Sequence, residues 1–282
     1  MYHSKSFQTE MDPMTTPVKR TGMIGLGAMG FQMAQHMAQK GFEVAGYDVS
    51  AEASARAKSK GIATCGSVSE VGGRAEVVVI MVATGGQVED VIACGLLDKL
   101  APGSVICIAS SVAPELCQRM AKLAAAKGVG VLDTPVVLGQ EAADKGTLVI
   151  YAGGEDKWVE RAKPALESFG RVLHLGGVGT GQIAKTINNM LLWACMAANY
   201  ESLTLAKNLG ADIPRLIAAL LEGSGANWSL SRWGKGTGKW AEKDMDVALE
   251  MAQDVKTPMP LGGLVDQLVK TINQDKMKAL LA

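Results

Sequence analysis

The stretch Arg20-Thr21-Gly22-Met23-Ile24-Gly25-Leu26-Gly27-Ala28-Met29-Gly30 decides how the rest of the chain is read. A short apolar run enters Gly25, Gly27 and Gly30, spaced as G-x-G-x-x-G, and a helix-forming pattern from Ala28 to Gln39 follows. The first glycine permits a tight turn, the second lets backbone approach a pyrophosphate, and the third lets helix and strand pack closely, while free helix N–H groups face the phosphate charge. Glycine is abundant here, so the spacing alone is weak evidence. The context strengthens it, because the next apolar run, Glu43 to Tyr47, leads into Asp48 about 20 residues beyond the motif. A carboxylate there accepts hydrogen bonds from adenosine ribose hydroxyls and repels a 2′-phosphate. Val49, Ser50 and Ala51 supply no arginine, so NAD is favoured over NADP. The expected loop contacts are Gly25, Leu26, Gly27, Ala28, Met29 and Gly30, with Asp48 on the ribose. A plain strand-to-helix turn with Asp48 as a helix cap would use the same residues without a cofactor.

Outward from this loop, residues 18–180 alternate short β-branched runs with helix-length segments, the pattern of βαβ units around a mostly parallel, doubly wound α/β sheet. Strands are predicted at about 19–24, 43–48, 76–82, 104–109, 130–133, 147–151 and 171–174, with helices such as 28–39 and 114–127 between them. After residue 181 the texture changes. Residues 182–209 hold no glycine or proline and are apolar nearly all round, predicting one long buried helix. Further helices are predicted at 213–222, 244–253 and 260–279. The expected organisation is a leader at 1–17, a Rossmann-like nucleotide-binding domain at 18–180, and a smaller all-helical domain at 181–282. The 33 glycines follow the same division, since 25 precede residue 182 and the others come after 209.

Composition removes other classes. Twenty-eight basic residues balance 28 acidic ones, which leaves no basic surface for a nucleic-acid backbone. No apolar run approaches the roughly 18 residues that span a bilayer, so no membrane partner is expected. Five scattered cysteines without a C-x-x-C pair and only three histidines argue against disulfides or a metal site, and fit a reducing, cytoplasmic compartment.

Several ordered motifs then resemble the β-hydroxyacid dehydrogenase family. They are the loop at 25–30, Asp133-Thr134-Pro135-Val136 followed by Gly139, Gly146-Thr147-Leu148 with Gly153-Gly154, the block Gly176 to Asn189, and the late pair Lys243-Asp244. The resemblance implies a dehydrogenase acting on a small-molecule hydroxy acid or alcohol. It places the catalytic lysine at Lys185 and a partner asparagine at Asn189, and spacing agrees, since i and i+4 share a helix face. Taken alone, a single lysine on an apolar helix also snorkels to water. Lys243 matches a lysine that reaches the cofactor or substrate, although its charged surroundings also suit a solvated helix start. Val82, Ala83, Thr84, Gln87 and Ser111 correspond to nicotinamide-side positions at strand ends, where open α/β sheets bind ligands. The serines at 110 and 111 could equally be turn or cap residues.

The departures fall at the substrate side. Where the family has serine-glycine-glycine, this chain has Val137-Leu138-Gly139, which replaces an amide-lined cradle with bulk. Trp228, Trp233 and Trp240 add large side chains in the helical part. Val137, Leu138, Gly139, Asn189 and Trp228 are the expected substrate contacts, and the substrate is expected to be larger or less polar than a three-carbon hydroxy acid. Two competing readings remain at this point: an imine reductase-like enzyme, against which Lys185 speaks, and a non-catalytic NAD-binding scaffold. A long apolar helix in so small a helical domain, together with the interlocked assemblies that the resemblance implies, predicts a homodimer or homotetramer.

Overall fold

The computed structural model describes residues 16–235 and 238–281. Most of the expected leader, residues 1–15, lies outside the described residues. The chain divides into two compact units, one ending at Lys185 and the other beginning at Thr186.

In the first unit six parallel strands form one sheet: β1 (Arg20–Ile24), β2 (Glu43–Tyr47), β3 (Ala63–Thr64), β4 (Val77–Ile80), β5 (Val105–Ile108) and β6 (Gly130–Asp133). Their order is β3-β2-β1-β4-β5-β6. The direction of winding therefore reverses between β1 and β4, and a doubly wound sheet opens its ligand crevice at the carboxyl ends beside such a switch point. The strands β4 (VVVI) and β5 (VICI) are buried at every position. This follows from their sequence, since continuous β-branched and apolar residues suit a sheet covered on both faces. One apolar cluster, with Met23, Met33, Val79 and Phe169, packs on one face. Ile24, Val78, Ile80, Ile92 and Cys117 belong to the cluster on the other.

The main sheet stops at β6. β7 (Val136–Val137), β8 (Leu148–Ala152) and β9 (Gly170–His174) form a separate three-stranded sheet, with β7 antiparallel and β9 parallel to β8. The predicted strands at 147–151 and 171–174 therefore do not extend the parallel sheet. Pro135 explains part of the break, because it has no N–H to continue a ladder. Asp133 instead bridges antiparallel to Gly153, which turns the chain back on itself.

The long helix runs from Thr180 to Asn208, 29 residues. Its length agrees with the glycine-free sequence, but its burial does not. Ile187 is 50% exposed, Leu191 64% and Leu205 61%, so the chain leaves an apolar stripe of this helix open. The second unit adds the helices Ile213–Leu220, Trp228–Ser231, Ala241–Asp254, Pro260–Val269 and Gln274–Ala279. The predicted single helix at 260–279 is two, because the Asn273 side chain accepts the Lys276 amide at 2.9 Å and starts a new helix. The core of this unit contains Met196, Leu203, Ile213, Trp233, Met245 and Val265. Trp233 is a packing residue, 7% exposed, with its indole N–H donated to the Met277 carbonyl at 3.1 Å.

Candidate active site

The glycine loop joins β1 to the helix Ala28–Gln39. A side chain at Gly25 would collide with the Met81 carbonyl oxygen, and one at Gly30 with the Gly25 carbonyl oxygen. Both glycines are thus required by packing alone. Gly27 differs: a Cβ there would meet nothing within 4 Å. Its backbone faces open space at the start of a helix whose first amides receive no side-chain cap. This bare surface, beside unsatisfied helix N–H groups, fits a dinucleotide pyrophosphate.

Asp48 closes the loop. Its Oδ2 accepts the Leu26 amide at 2.6 Å and its Oδ1 the Ser50 amide at 2.7 Å. Each oxygen keeps further lone-pair capacity, which fits the ribose contact expected of this residue. Leu26 contributes through backbone only, because its side chain is fully buried. Its amide is committed to Asp48, and its carbonyl accepts from the Arg56 guanidinium at 2.5 Å.

At the end of β4, Thr84 and Gln87 form a reciprocal capping box on the helix Gly85–Val91, and the Gln87 Oε1 accepts the amides of Ala83 and Thr84 at 2.9 and 3.2 Å. These residues are exposed at the strand ends, yet their first structural task is capping. Val82 donates its amide to the Ser110 Oγ at 2.8 Å. Ser110 is 1% exposed and supports the loop, whereas Ser111 is exposed.

The first turn of the long helix is fastened to these strand ends. The fully buried Asp133 carboxylate accepts the Gly179 amide at 2.6 Å and the Gln182 amide at 2.8 Å. Burial pushes its carboxyl above the usual carboxylate range, against the opposing pull of these backbone donors. The Gln182 side chain donates Nε2 to the Ser110 carbonyl at 2.8 Å and accepts the Val112 amide on Oε1 at 3.2 Å. Lys185 follows on the same helix, only partly exposed. Asp133 and Gln182 lie within motifs of the sequence that by themselves assign neither residue a role. The signal in the sequence is a polar residue at an interior position, Asp133 at the end of a buried strand and Gln182 in the first turn of an apolar helix.

In the second unit, Asn189 is 7% exposed and donates its side-chain amide to the Asp244 carboxylate at 2.8 Å. The Trp193 indole donates to the same oxygen at 3.0 Å. Asp244 was likewise unassigned, and its neighbour Lys243 is exposed in the first turn of the helix Ala241–Asp254. Trp228 is 45% exposed under the Arg232 guanidinium. It begins a short helix capped by Asn227, which exchanges amide hydrogen bonds with Asn199 at 3.0 and 3.1 Å.

The loop at 137–139, expected on the substrate side, has one unusual backbone position. Val137 is buried in β7, but Leu138 has φ +82°, in the left-handed region that disfavours a side chain, and is 37% exposed. Gly139 follows at φ +72°.

Comparison with known proteins agrees with this geometry. Residues 20–179 match the NAD binding domain of 6-phosphogluconate dehydrogenase, and residues 179–280 match the NAD-binding domain of NADP-dependent 3-hydroxyisobutyrate dehydrogenase. The 3-hydroxyisobutyrate dehydrogenase of Pseudomonas aeruginosa is 34% identical over 265 residues, covering 87% of this chain and 89% of that protein. The chain belongs to the β-hydroxyacid dehydrogenase family. Within it, the NAD-dependent L-serine dehydrogenase of the same organism is 29% identical, covering 90% of this chain and 92% of that one. A Mycobacterium tuberculosis 3-hydroxyisobutyrate dehydrogenase solved with L-serine superposes with a TM-score of 0.85 at 25% identity, covering 94% of this chain and all of that one. As a β-hydroxyacid dehydrogenase the chain is an oxidoreductase of CH–OH donors with an NAD-binding domain. Among the described residues no group of His, Cys, Asp and Glu could hold a metal ion, and no helix is long and apolar enough to cross a membrane.

Proposed function

We propose that this chain is an NAD-dependent β-hydroxyacid dehydrogenase in which Lys185 exchanges the substrate hydroxyl proton and Asn189 orients it. The observation that carries this reading is one continuous helix with Lys185 and Asn189 one turn apart and its first turn anchored to the strand ends. NAD, when bound, supplies the hydride acceptor. Gly27 gives the backbone approach for its pyrophosphate, Asp48 selects the ribose without a 2′-phosphate, and Val82, Thr84 and Ser111 border the nicotinamide side. Lys243 provides a cationic contact to cofactor or substrate.

Leu138 sets the substrate class. Its partly exposed leucine side chain in place of a glycine narrows and greases the cradle, so the preferred hydroxy acid is larger or less polar than 3-hydroxyisobutyrate. The exposed Ile187, Leu191 and Leu205 support a second copy covering the long helix, in a homodimer or homotetramer. Light scattering at micromolar concentration tests the assembly, and a monomer contradicts it.

The central test follows reduced-cofactor absorbance over a panel of 3-hydroxy acids and larger alcohols, with NAD and NADP side by side. Lys185→Ala should lower turnover at least about 100-fold while leaving NAD affinity intact. Equal loss of binding and turnover would indicate misfolding, and unchanged turnover would remove Lys185 from the chemistry.

A further inference from the structure

A glutamine in the first turn of a helix normally faces solvent or reaches back to cap its own N-terminus. Gln182 does neither. It is 1% exposed, and its side-chain amide ties the helix to one loop, with Nε2 on the Ser110 carbonyl and Oε1 on the Val112 amide, while the Cys117 thiol on the next helix also hydrogen-bonds to it. Two bonds in opposite sense from one planar amide fix both distance and rotation. The same loop holds the nicotinamide-side end of β4, because the Ser110 Oγ accepts the Val82 amide. Lys185 stands three residues beyond Gln182, close to one helical turn, so the azimuth of its stem follows that of Gln182. Asp133 fixes the remaining freedom, movement along the helix axis, by taking the amides of Gly179 and Gln182.

Resting on the reading of Lys185 as the proton-transfer group, we propose that Gln182 is a positioning residue: its side-chain amide holds Lys185 in register with the strand ends that border the nicotinamide. Catalysis itself needs no contact between Gln182 and substrate. A generic structural glutamine would affect stability and cofactor affinity together. A positioning glutamine separates lysine placement from both.

Gln182→Met keeps length and flexibility but removes both bonds. Gln182→Glu keeps an acceptor for Val112 and loses the donor to Ser110. For each protein, NAD affinity is measured by calorimetry, and the acetylation rate of Lys185 by N-hydroxysuccinimide acetate is followed by mass spectrometry with and without saturating NAD. In the unsubstituted protein NAD should slow Lys185 acetylation. Gln182→Met should bind NAD within about threefold of it and lose that protection, with kcat on the best panel substrate falling about 10- to 100-fold and its deuterium isotope effect rising. Gln182→Glu should fall between the two. Unchanged protection and kcat in a Gln182→Met protein that binds NAD would overturn the proposal. Loss of folding and NAD binding in both variants would overturn it as well, by making Gln182 a stability residue. If NAD fails to protect Lys185 even in the unsubstituted protein, the catalytic reading of Lys185 fails first and takes this inference with it.

Discussion

Asn189 and Trp193, one turn apart on the long helix, give their side-chain donors to a single oxygen of Asp244, at 2.8 and 3.0 Å. The carboxylate therefore fixes the rotamer of Asn189, the residue proposed to orient the substrate. Asp244→Ala leaves two donors without that acceptor and should cost about 2 kcal/mol, since each unsatisfied buried polar group costs about 1–3 kcal/mol. Asp244→Asn, which retains an acceptor oxygen, should lose about half as much. Thermal melts check both, and equal melting temperatures for Asp244→Ala and the unsubstituted protein would show that the bond is replaced by water.

Gly27→Ala should separate folding from cofactor binding. The Cβ meets open space and the residue has φ −62°, a value alanine adopts freely. The variant should melt as the unsubstituted protein does, yet bind NAD at least about tenfold more weakly, because the methyl occupies the pyrophosphate approach. Gly30→Ala should instead lose stability, since its Cβ collides with the Gly25 carbonyl oxygen. Calorimetric titration with NAD and melting curves distinguish the pair.

Glu76 gives the acid side of the stability profile. Burial acts to raise its carboxyl, but the amides of Lys19 and Arg20 and the charges of Arg20 and Arg161 outweigh burial and hold it below the ordinary 4.5. A carboxyl lowered on folding contributes stability that is present above its unfolded value and lost as pH falls through the folded one. Glu76→Gln should therefore be less stable near neutral pH by about 1 kcal/mol, with the difference vanishing well below about pH 4. A difference that persists in acid would place the effect in packing.

Leu138→Gly should be mild for stability and strong for selectivity. Relief of the left-handed backbone returns about 1–2 kcal/mol and offsets the lost burial of a partly exposed leucine, so the net change stays near or below about 1 kcal/mol. Ratios of kcat/KM for 3-hydroxyisobutyrate against a longer apolar homologue should shift at least about tenfold toward the small acid. An unchanged ratio would remove Leu138 from the substrate cradle.

Much of this arrangement was legible in the sequence, for identifiable reasons. The Gly25-Gly27-Gly30 spacing and the unbroken apolar strands each reflect a local constraint, so loop, parallel sheet and long helix could be read directly. The second sheet could not, because β7 is only two residues long and its antiparallel pairing depends on where Pro135 and the Asp133–Gly153 bridge turn the chain. Nor could the roles of Asp133, Gln182 and Asp244 be read, since each depends on partners 46 to 72 residues away. The left-handed Leu138 is a further case: the sequence marked it as a departure in side chain, and the structure adds that it is a departure in backbone.

The attachment of the long helix to Asp133 also bears on how the chain reaches this state during synthesis. The carboxylate that accepts the Gln182 amide lies 49 residues earlier, at the end of an edge strand of the parallel sheet. Such a long closure becomes favourable only after the sheet has formed. The lysine-bearing turn is therefore a late acquisition. Once the chain is clear of the ribosome, its nucleotide-binding sheet can be complete while the stitch at the start of the long helix is still the newest bond in the molecule.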